Sequence, residues 1–255
     1  MSTMHGVAPA KANLALAITG RRDDGYHTLE SVFVRLGLQD DLAVDIDPSA
    51  GRDQLLVDGK PSAAGAADLV LLAVAQLRNA LVEPLPPLRF ELTKRIPMAA
   101  GLGGGSSDAA TAIDLALGAW GARLGPAQRL DVALRLGADV PFFSAGHPVA
   151  VVTGIGEGLQ PLPAPRPPAG VLLITPPRRL STASVFAEFD RHPRSVSVAI
   201  ERVHELAGIL REGVDGPTLA AITPMLRDAN DLWAPAARCS PSLSAARDAA
   251  AAALD

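Results

Sequence analysis

The sequence predicts an α+β protein of two domains, and three observations carry that prediction. The opening third reads mostly as strand. Four glycines in five positions, Gly101, Gly103, Gly104 and Gly105, stand between a strand pattern and a helix pattern, and the segments after residue 154 read mostly as helix. A chain of 255 residues has room for one large or two modest domains. We place the change near residue 154, giving domains of 1–153 and 154–255.

Each element follows from its pattern. Over 13–18, Leu14, Leu16 and Ile18 share one face and Lys11, Asn13, Ala15 and Ala17 the other, the period of a half-buried strand. Lys11 and Asn13 therefore point the same way. Asp24-Gly25 is a turn signal, followed by strand over 28–36. Leu42, Val44 and Ile46 alternate with Ala43, Asp45 and Asp47, and a short strand at 55–57 is placed to pair with them. Over 66–81, Leu69, Leu72, Ala73, Leu77, Ala80 and Leu81 have helical spacing. Leu88, Phe90 and Leu92 alternate as a strand. After the glycines, Ile113, Ala116, Leu117, Trp120 and Leu124 mark one face of a helix starting near Ser106. Another helix runs from Pro126 to Gly137, with Asp139 just beyond. Segments 149–153 and 171–175 read as strands, and 155–168 as a proline-rich connection. Helices are expected at 181–189, 197–210 and 217–226 and in the alanine-rich end.

Composition excludes several classes. Hydrophobic residues at 48% and charged residues at 20% place the chain among globular proteins rather than disordered or fibrous ones. A net charge of -4 without a basic block lacks the general footprint of a nucleic-acid binder, so any phosphate binding is local. No apolar run approaches the roughly 18 residues that span a bilayer. The short apolar run after Lys11 is interrupted by Asn13, with no cleavage site. The expectation is a soluble, cytoplasmic chain with no membrane partner. Cys239 is the only cysteine, so it forms neither an intrachain disulfide nor a zinc cluster, and it is expected as a small buried hydrophobe.

Glycine is costly to order, so four together call for a reason. A strand, a glycine-rich loop and a helix N-terminus make a phosphate site. The first N–H groups of the helix are unpaired, its dipole is positive there, and glycine lets backbone approach oxygen closely. The hydroxyls of Ser106 and Ser107 add contacts or a metal ligand. Neither familiar template fits in detail. Gly105 is followed by serine where a Walker loop has lysine, and a dinucleotide fingerprint would put its third glycine at Ser106 and come early in a βαβ unit. A loop that only packs a helix against a sheet is the alternative, although one or two glycines serve for that.

PMAAGLGGGSSDAA, residues 97–110, resembles the second motif of the kinase superfamily of galactokinase, homoserine kinase, mevalonate kinase and phosphomevalonate kinase. KANLALAITGRRDDGYH from Lys11, LGADVPFF from Leu136 and NDL from Asn230 are similar to the opening motif, catalytic segment and second-domain signature of the diphosphocytidyl-methylerythritol kinase family within it. The resemblance implies a two-domain small-molecule kinase fold. Its N-terminal domain, of the ribosomal-protein-S5 type, would bind ATP and carry the catalytic groups, and its α/β C-terminal domain would bind substrate. The implied reaction moves the γ-phosphoryl group of ATP, with Mg2+, to the 2-hydroxyl of the methylerythritol part of the substrate, in the non-mevalonate route to isoprenoid precursors.

Asp139 matches the family's general base, and Lys11 the lysine beside it. Phosphoryl transfer needs alignment, charge neutralisation and a carboxylate to take the hydroxyl proton, and a nearby ammonium lowers the cost of forming an alkoxide. Read alone, Asp139 also fits a turn or cap residue, and Lys11 a solvated strand-end charge. The implied ATP set is Lys94, Pro97, Met98, Ala99, Ala100, Gly101, Leu102, Gly103, Gly104, Gly105, Ser106 and Ser107, with Ser106 or Ser107 as the magnesium ligand. Tyr26 and His27 match the positions that hold the cytosine by stacking and hydrogen bonding. Read alone, an aromatic after a hairpin turn covers a sheet equally well. Asn13 matches a substrate contact, and Thr175, Pro176 and Thr182 lie in a segment similar to one lining the substrate cleft.

The chain departs from the pattern twice. The family often has Asn-Leu at the start of the first-domain helix, with the asparagine near adenine, and this chain has Asp68-Leu69; an ionised aspartate cannot donate. The family's third glycine-rich motif, roughly Ser-Gly-Ser-Gly followed by Thr-Cys, has no counterpart after Ala249. The expectation is an enzyme lacking that loop, with an edge and some core exposed in its second domain. Two alternatives stay open. A superfamily kinase for homoserine or a mevalonate-like alcohol would not need Tyr26-His27, and a catalytically silent nucleotide binder would need neither Lys11 nor Asp139.

Overall fold

The computed structural model describes residues 3–175, 180–192 and 197–254. The chain forms two compact units drawn from interleaved segments. One comprises the residues through Lys11 with 35–98 and 102–147, the other 12–34, 99–101 and the residues from Pro148 onward. The strand-rich opening becomes β1 (Met4–Arg21) and β2 (His27–Ile46), which pair with each other, and each runs from one unit into the other. The separate strands expected at 28–36 and 42–46 are one strand, with Val32, Phe33, Leu42 and Val44 all buried along it.

The first unit continues through β3 (Gln54–Val57), β4 (Lys60–Pro61), α1 (Leu69–Leu81), β5 (Leu88–Thr93), α2 (Gly104–Trp120), α3 (Pro126–Leu136) and α4 (Val140–Ala145). Its strands lie in the order β4-β3-β5-β2, with β5 antiparallel to β2 and parallel to β3. The expected pairing of 55–57 with 42–46 is therefore corrected, because β5 lies between them. The Asp58-Gly59 turn, with φ of 50° and 77°, folds β3 back on β4 and leaves its other side for β5. Leu88, Phe90 and Leu92 of β5 are buried, as a central strand requires. α1 starts at Leu69, later than expected, because the Asp68 carboxylate accepts the Val70 N–H and caps the helix there. Arg78, near the end of α1, donates to both Asp53 oxygens at 2.9 and 2.7 Å and to the carbonyls of Leu85 and Pro86, with Trp120 beneath its guanidinium.

The second unit adds β6 (Val149–Gly154), β7 (Gly158–Leu162), α5 (Thr182–Arg191), α6 (Ser197–Arg211), α7 (Gly216–Ala221), α8 (Trp233–Cys239) and α9 (Ser242–Leu254). β6 pairs antiparallel with residues 29–34 of β2 on one side and with β7 on the other. The connection expected over 155–168 thus contains a strand. Pro161 disguises it, and Pro161 is tolerated because β7 is an edge. Ala199, Val203, Leu206, Ala207 and Leu210 of α6 share a core with Ala15, Ala17, Val32, Val149, Val151 and Leu162. That core is why a single cut near residue 154 does not describe the division: 12–34 pack with the second unit.

Three further expectations are corrected. Residues 171–175 form no strand; Val171, Leu172 and Ile174 are more than half exposed, with no partner ladder among the described residues. Helix α8 is additional, and Cys239 at its end is exposed rather than buried. The NDL segment stitches onto β1: the buried Asp231 accepts the Ile18 N–H at 2.9 Å, and Leu16 bridges to Asn230. Among the described residues no helix is long and apolar enough to cross a membrane.

Candidate active site

In the first unit the chain leaves β5 at Thr93 and enters α2 at Gly104, two residues before the expected start. Three residues on the way have left-handed backbone: Ala99 (φ 58°), Gly101 (φ 75°) and Gly103 (φ 70°). Ala99 holds a Cβ in a conformation that glycine adopts freely, strain of a kind that clusters at ligand sites. Gly103 is the N-cap of α2, and a Cβ there would lie 3.0 Å from Lys11 Cγ and 3.0 Å from the Phe143 ring. A Cβ on Gly104 would meet Ile96 at 3.1 Å and Lys94 Nζ at 3.3 Å. The missing side chains thus let two lysines close on the loop. Ser107 N–H donates to Gly103 O at 2.9 Å, so the amides of Gly104, Gly105 and Ser106 precede the first helical bond, at the positive end of the dipole. The loop is tied to β1 by Lys11 N–H donating to Leu102 O at 2.9 Å.

Lys11 and Asp139 meet. Lys11 is only 7% exposed, which rules out a solvated strand-end charge, and its Nζ lies 3.4 Å from Asp139 Oδ2. Asp139 occupies the N-cap position of α4 but makes no side-chain capping bond. The carboxylate faces Lys11 instead of closing the helix. Arg35 holds α4 from its other end: Nη2 donates to Phe142 O at 3.3 Å and Phe143 O at 2.5 Å, and the guanidinium lies over both rings. Burial pushes Arg35 below its ordinary value, partly offset by Asp114.

Lys94 lies in a triad that sequence reasoning did not assemble. Its Nζ is 2.5 Å from Asp40 Oδ2 and 2.7 Å from Asp108 Oδ2. Burial alone would lower the ammonium, but the bonds and charges of Asp108 and Asp40 carry it above its ordinary value. Burial pushes the Asp108 carboxyl up to about 7, against the pull of Lys94 and with the Asp40 charge adding to the rise. One cation thus stands between two carboxylates. Arg35, Asp40 and Asp108 carried no separate signal in the sequence. Asp108 sits inside the glycine-rich motif, and Asp40 is one of two adjacent aspartates.

Of the other nucleotide candidates, Pro97, Met98 and the residues from Leu102 to Ser107 belong to the first unit, and Ala99, Ala100 and Gly101 to the second. Met98 is exposed, Ser106 is half-buried, and Ser107 is fully buried, its hydroxyl without a hydrogen-bond partner among the described residues. Asp68 is engaged through both oxygens, by Val70 N–H and by the Ser62 hydroxyl.

The second unit carries the remaining candidates. His27 Nε2 is 2.6 Å from Asp190 Oδ1, and its ring stacks on Phe186 with centroids 4.7 Å apart and planes 23° apart. Phe186 and Asp190 are one helical turn apart on α5, so one helix face supplies both. Arg21 reaches the other Asp190 oxygen at 3.3 Å. Tyr26 is 62% exposed beside this cluster in sequence, with its N–H on Asp24 Oδ1. Asn13 donates to Ser31 Oγ at 3.0 Å, and Ser31 donates to Ala15 O. Thr182 opens α5, Thr175 is exposed in the irregular segment, and Pro176 lies outside the described residues.

No group of three or more His, Cys, Asp or Glu among the described residues could by itself hold a metal ion.

Residues 68–147 match the family described as the GHMP kinases N terminal domain. The chain is 35% identical over 240 residues to the 4-diphosphocytidyl-2-C-methyl-D-erythritol kinase of Rhodopseudomonas palustris, covering 94% of this chain and 78% of that protein. It is 42% identical to the enzyme of the same name from Thiobacillus denitrificans, covering 75% of this chain and 68% of that one. Against the relative from Nitrosomonas eutropha, at 41% identity, it spans 63% of the relative's length. Among solved structures, the crystal structure of 4-(cytidine 5'-diphospho)-2C-methyl-D-erythritol kinase superposes with a TM-score of 0.72 at 32% identity, covering 96% of this chain and 81% of that chain. Mevalonate pyrophosphate decarboxylase from Streptococcus pyogenes, at 13% identity and a TM-score of 0.67, shares the fold.

Proposed function

The chain belongs to the 4-diphosphocytidyl-2-C-methyl-D-erythritol kinase family, and we propose that it transfers the γ-phosphoryl group of ATP to the 2-hydroxyl of 4-diphosphocytidyl-2-C-methyl-D-erythritol. The observation that carries this reading is the buried Lys11 beside Asp139, against the glycine N-cap of α2. Asp139 takes the proton of the acceptor hydroxyl. The deprotonated oxygen of the acceptor alcohol then bonds to the γ-phosphorus as the bond between that phosphorus and the bridging oxygen breaks, releasing ADP. Lys11 stabilises the negative charge that grows on the acceptor oxygen, where an ammonium in a water-poor setting acts most strongly. The amides of Gly104, Gly105 and Ser106 and the Lys94 ammonium hold phosphate oxygens.

Ser106 or Ser107 would hold Mg2+, which would neutralise triphosphate charge; a hydroxyl suits a hard cation that takes its other ligands from phosphates and water, and the Ser107 hydroxyl is buried without a partner among the described residues. In the second unit, Asp190 occupies His27 Nε2 and leaves Nδ1 for the cytosine edge, while Phe186 and Tyr26 offer aromatic faces for stacking. Asp68, engaged as a cap, makes no adenine contact in this reading.

The test is phosphorylation by this chain with Mg-ATP of the cytidine-bearing alcohol, beside mevalonate and homoserine. Turnover with the cytidine substrate alone is expected. Turnover with mevalonate or homoserine instead overturns the acceptor, and ADP binding with no turnover of any alcohol leaves a nucleotide-binding protein.

A further inference from the structure

The Asp40–Lys94–Asp108 triad takes no part in the chemistry above as an acid, base or nucleophile, yet it brackets the glycine loop. Lys94 follows β5, and Asp108 lies in the second turn of α2. Residues 95–107 between them are the whole loop with the first helical turn. One ammonium therefore ties the strand exit to the helix entry, at 2.5 Å to Asp40 and 2.7 Å to Asp108.

Asp40 does more than pair with that charge. It is wholly buried, and its second oxygen accepts the N–H groups of Arg95 at 2.5 Å and Ile96 at 2.8 Å. The first two loop residues thus hang from a carboxylate supplied by the neighbouring strand β2. Apolar packing could hold β5 to α2 without desolvating three charges. What packing lacks is a fixed separation, which charged hydrogen bonds impose through their short, directed geometry.

We propose that the triad is a clamp that fixes the aperture of the glycine loop, with Asp40 as its positioning residue, so that the helix-entry amides stand at the spacing phosphate oxygens need. Its bearing on ATP rests on the kinase reading, whereas the clamp itself is a property of the unliganded chain. Asp40→Asn isolates the tie: the amide carbonyl still serves the Arg95 and Ile96 N–H groups, but an NH2 group faces Lys94 Nζ where an acceptor stood. Asp108→Asn, at the other end, carries the test if the Asp40 variant does not fold.

Two readouts on the full chain decide the matter. Amide hydrogen exchange without nucleotide is expected to quicken about ten-fold or more at Arg95, Ile96 and Ser107, the worth of one charged hydrogen bond, with α1 unchanged. Steady-state kinetics are expected to show the KM for ATP rising by about the same factor, with kcat and the KM for the alcohol little changed. Unchanged loop exchange, or an equal rise in α1, overturns the clamp, since the second marks general loosening. A lower kcat at constant KM for ATP also overturns it. Failure of the kinase reading is separate: it appears as a wild-type chain without turnover, and the exchange result still decides the clamp.

Discussion

The glycines of the loop are not equivalent, and alanine substitution should sort them. Gly103→Ala meets two penalties. At φ 70° an alanine sits in the left-handed region, at about 1–2 kcal/mol. Its Cβ also lies 3.0 Å from Lys11 Cγ and from the Phe143 ring, so well-packed groups must shift, at about 1–3 kcal/mol. A combined loss of roughly 2–5 kcal/mol lowers the melting midpoint by about 4–20 °C at this chain size. Gly105→Ala is the matched control. It lies inside α2 without positive φ, its Cβ meets only the end of Leu69 at 3.3 Å, and helix propensity favours alanine by about 1 kcal/mol. Thermal melts of the three proteins should therefore place Gly103→Ala well below wild type and Gly105→Ala level with it or above. Because Lys11 is one of the displaced groups, kcat of Gly103→Ala should fall further than its stability alone explains. Equal midpoints for the two variants would refute the argument that Gly103 is glycine for reasons of space and backbone.

Asp139→Asn should lower kcat by about 10²–10⁴-fold, the usual worth of a general base, while ADP titration shows affinity within a few-fold of wild type; near-normal turnover removes Asp139 from the role. Phe186→Ala should raise the KM for the cytidine substrate by about ten-fold or more, as loss of a base-stacking face does, and leave the KM for ATP alone; equal effects on both would place Phe186 in the core only. Asp108, raised to about 7 in the fold, binds its proton more tightly there than in the unfolded chain. Stability from this group is therefore fully present below the unfolded value and is lost as pH rises toward 7. Asp108→Asn should gain on wild type across that window, by at most about 1.4 kcal/mol per pH unit. Urea midpoints of both proteins from pH 5 to 8 check this, and a constant difference counts against it.

Patterns of short range were legible in the sequence, and those that depend on remote partners were not. The alternation of Leu88, Phe90 and Leu92 marked β5, and the glycines with Ser106 and Ser107 marked a loop before a helix, because both are local consequences of backbone geometry. Residues 171–175 have the same apolar, β-branched character as β6 and still form no strand, since a strand exists only where a neighbour completes its ladder. Asp139 read alone as a cap is in fact the N-cap of α4, and what sets it apart is a missing capping bond and a lysine 128 residues earlier in the chain. No spacing rule reaches that far. Asp40 was invisible for the same reason: its partners are two amides and an ammonium of another strand's exit.

The pairing of β2 with β6 sets an order on synthesis. Residues 29–34 leave the ribosome long before 149–154, which supply their ladder. At about 5–20 residues per second the wait is roughly 6–23 s. Throughout it Val32 and Val34 lack that partner strand, and the N–H of Ile18 waits longer still for Asp231. The residues made before Pro148 include all of the first unit but only 12–34 and 99–101 of the second. A nascent chain stalled near residue 147 should therefore expose a hydrophobic strand edge, and that intermediate is where a chaperone has most to bind.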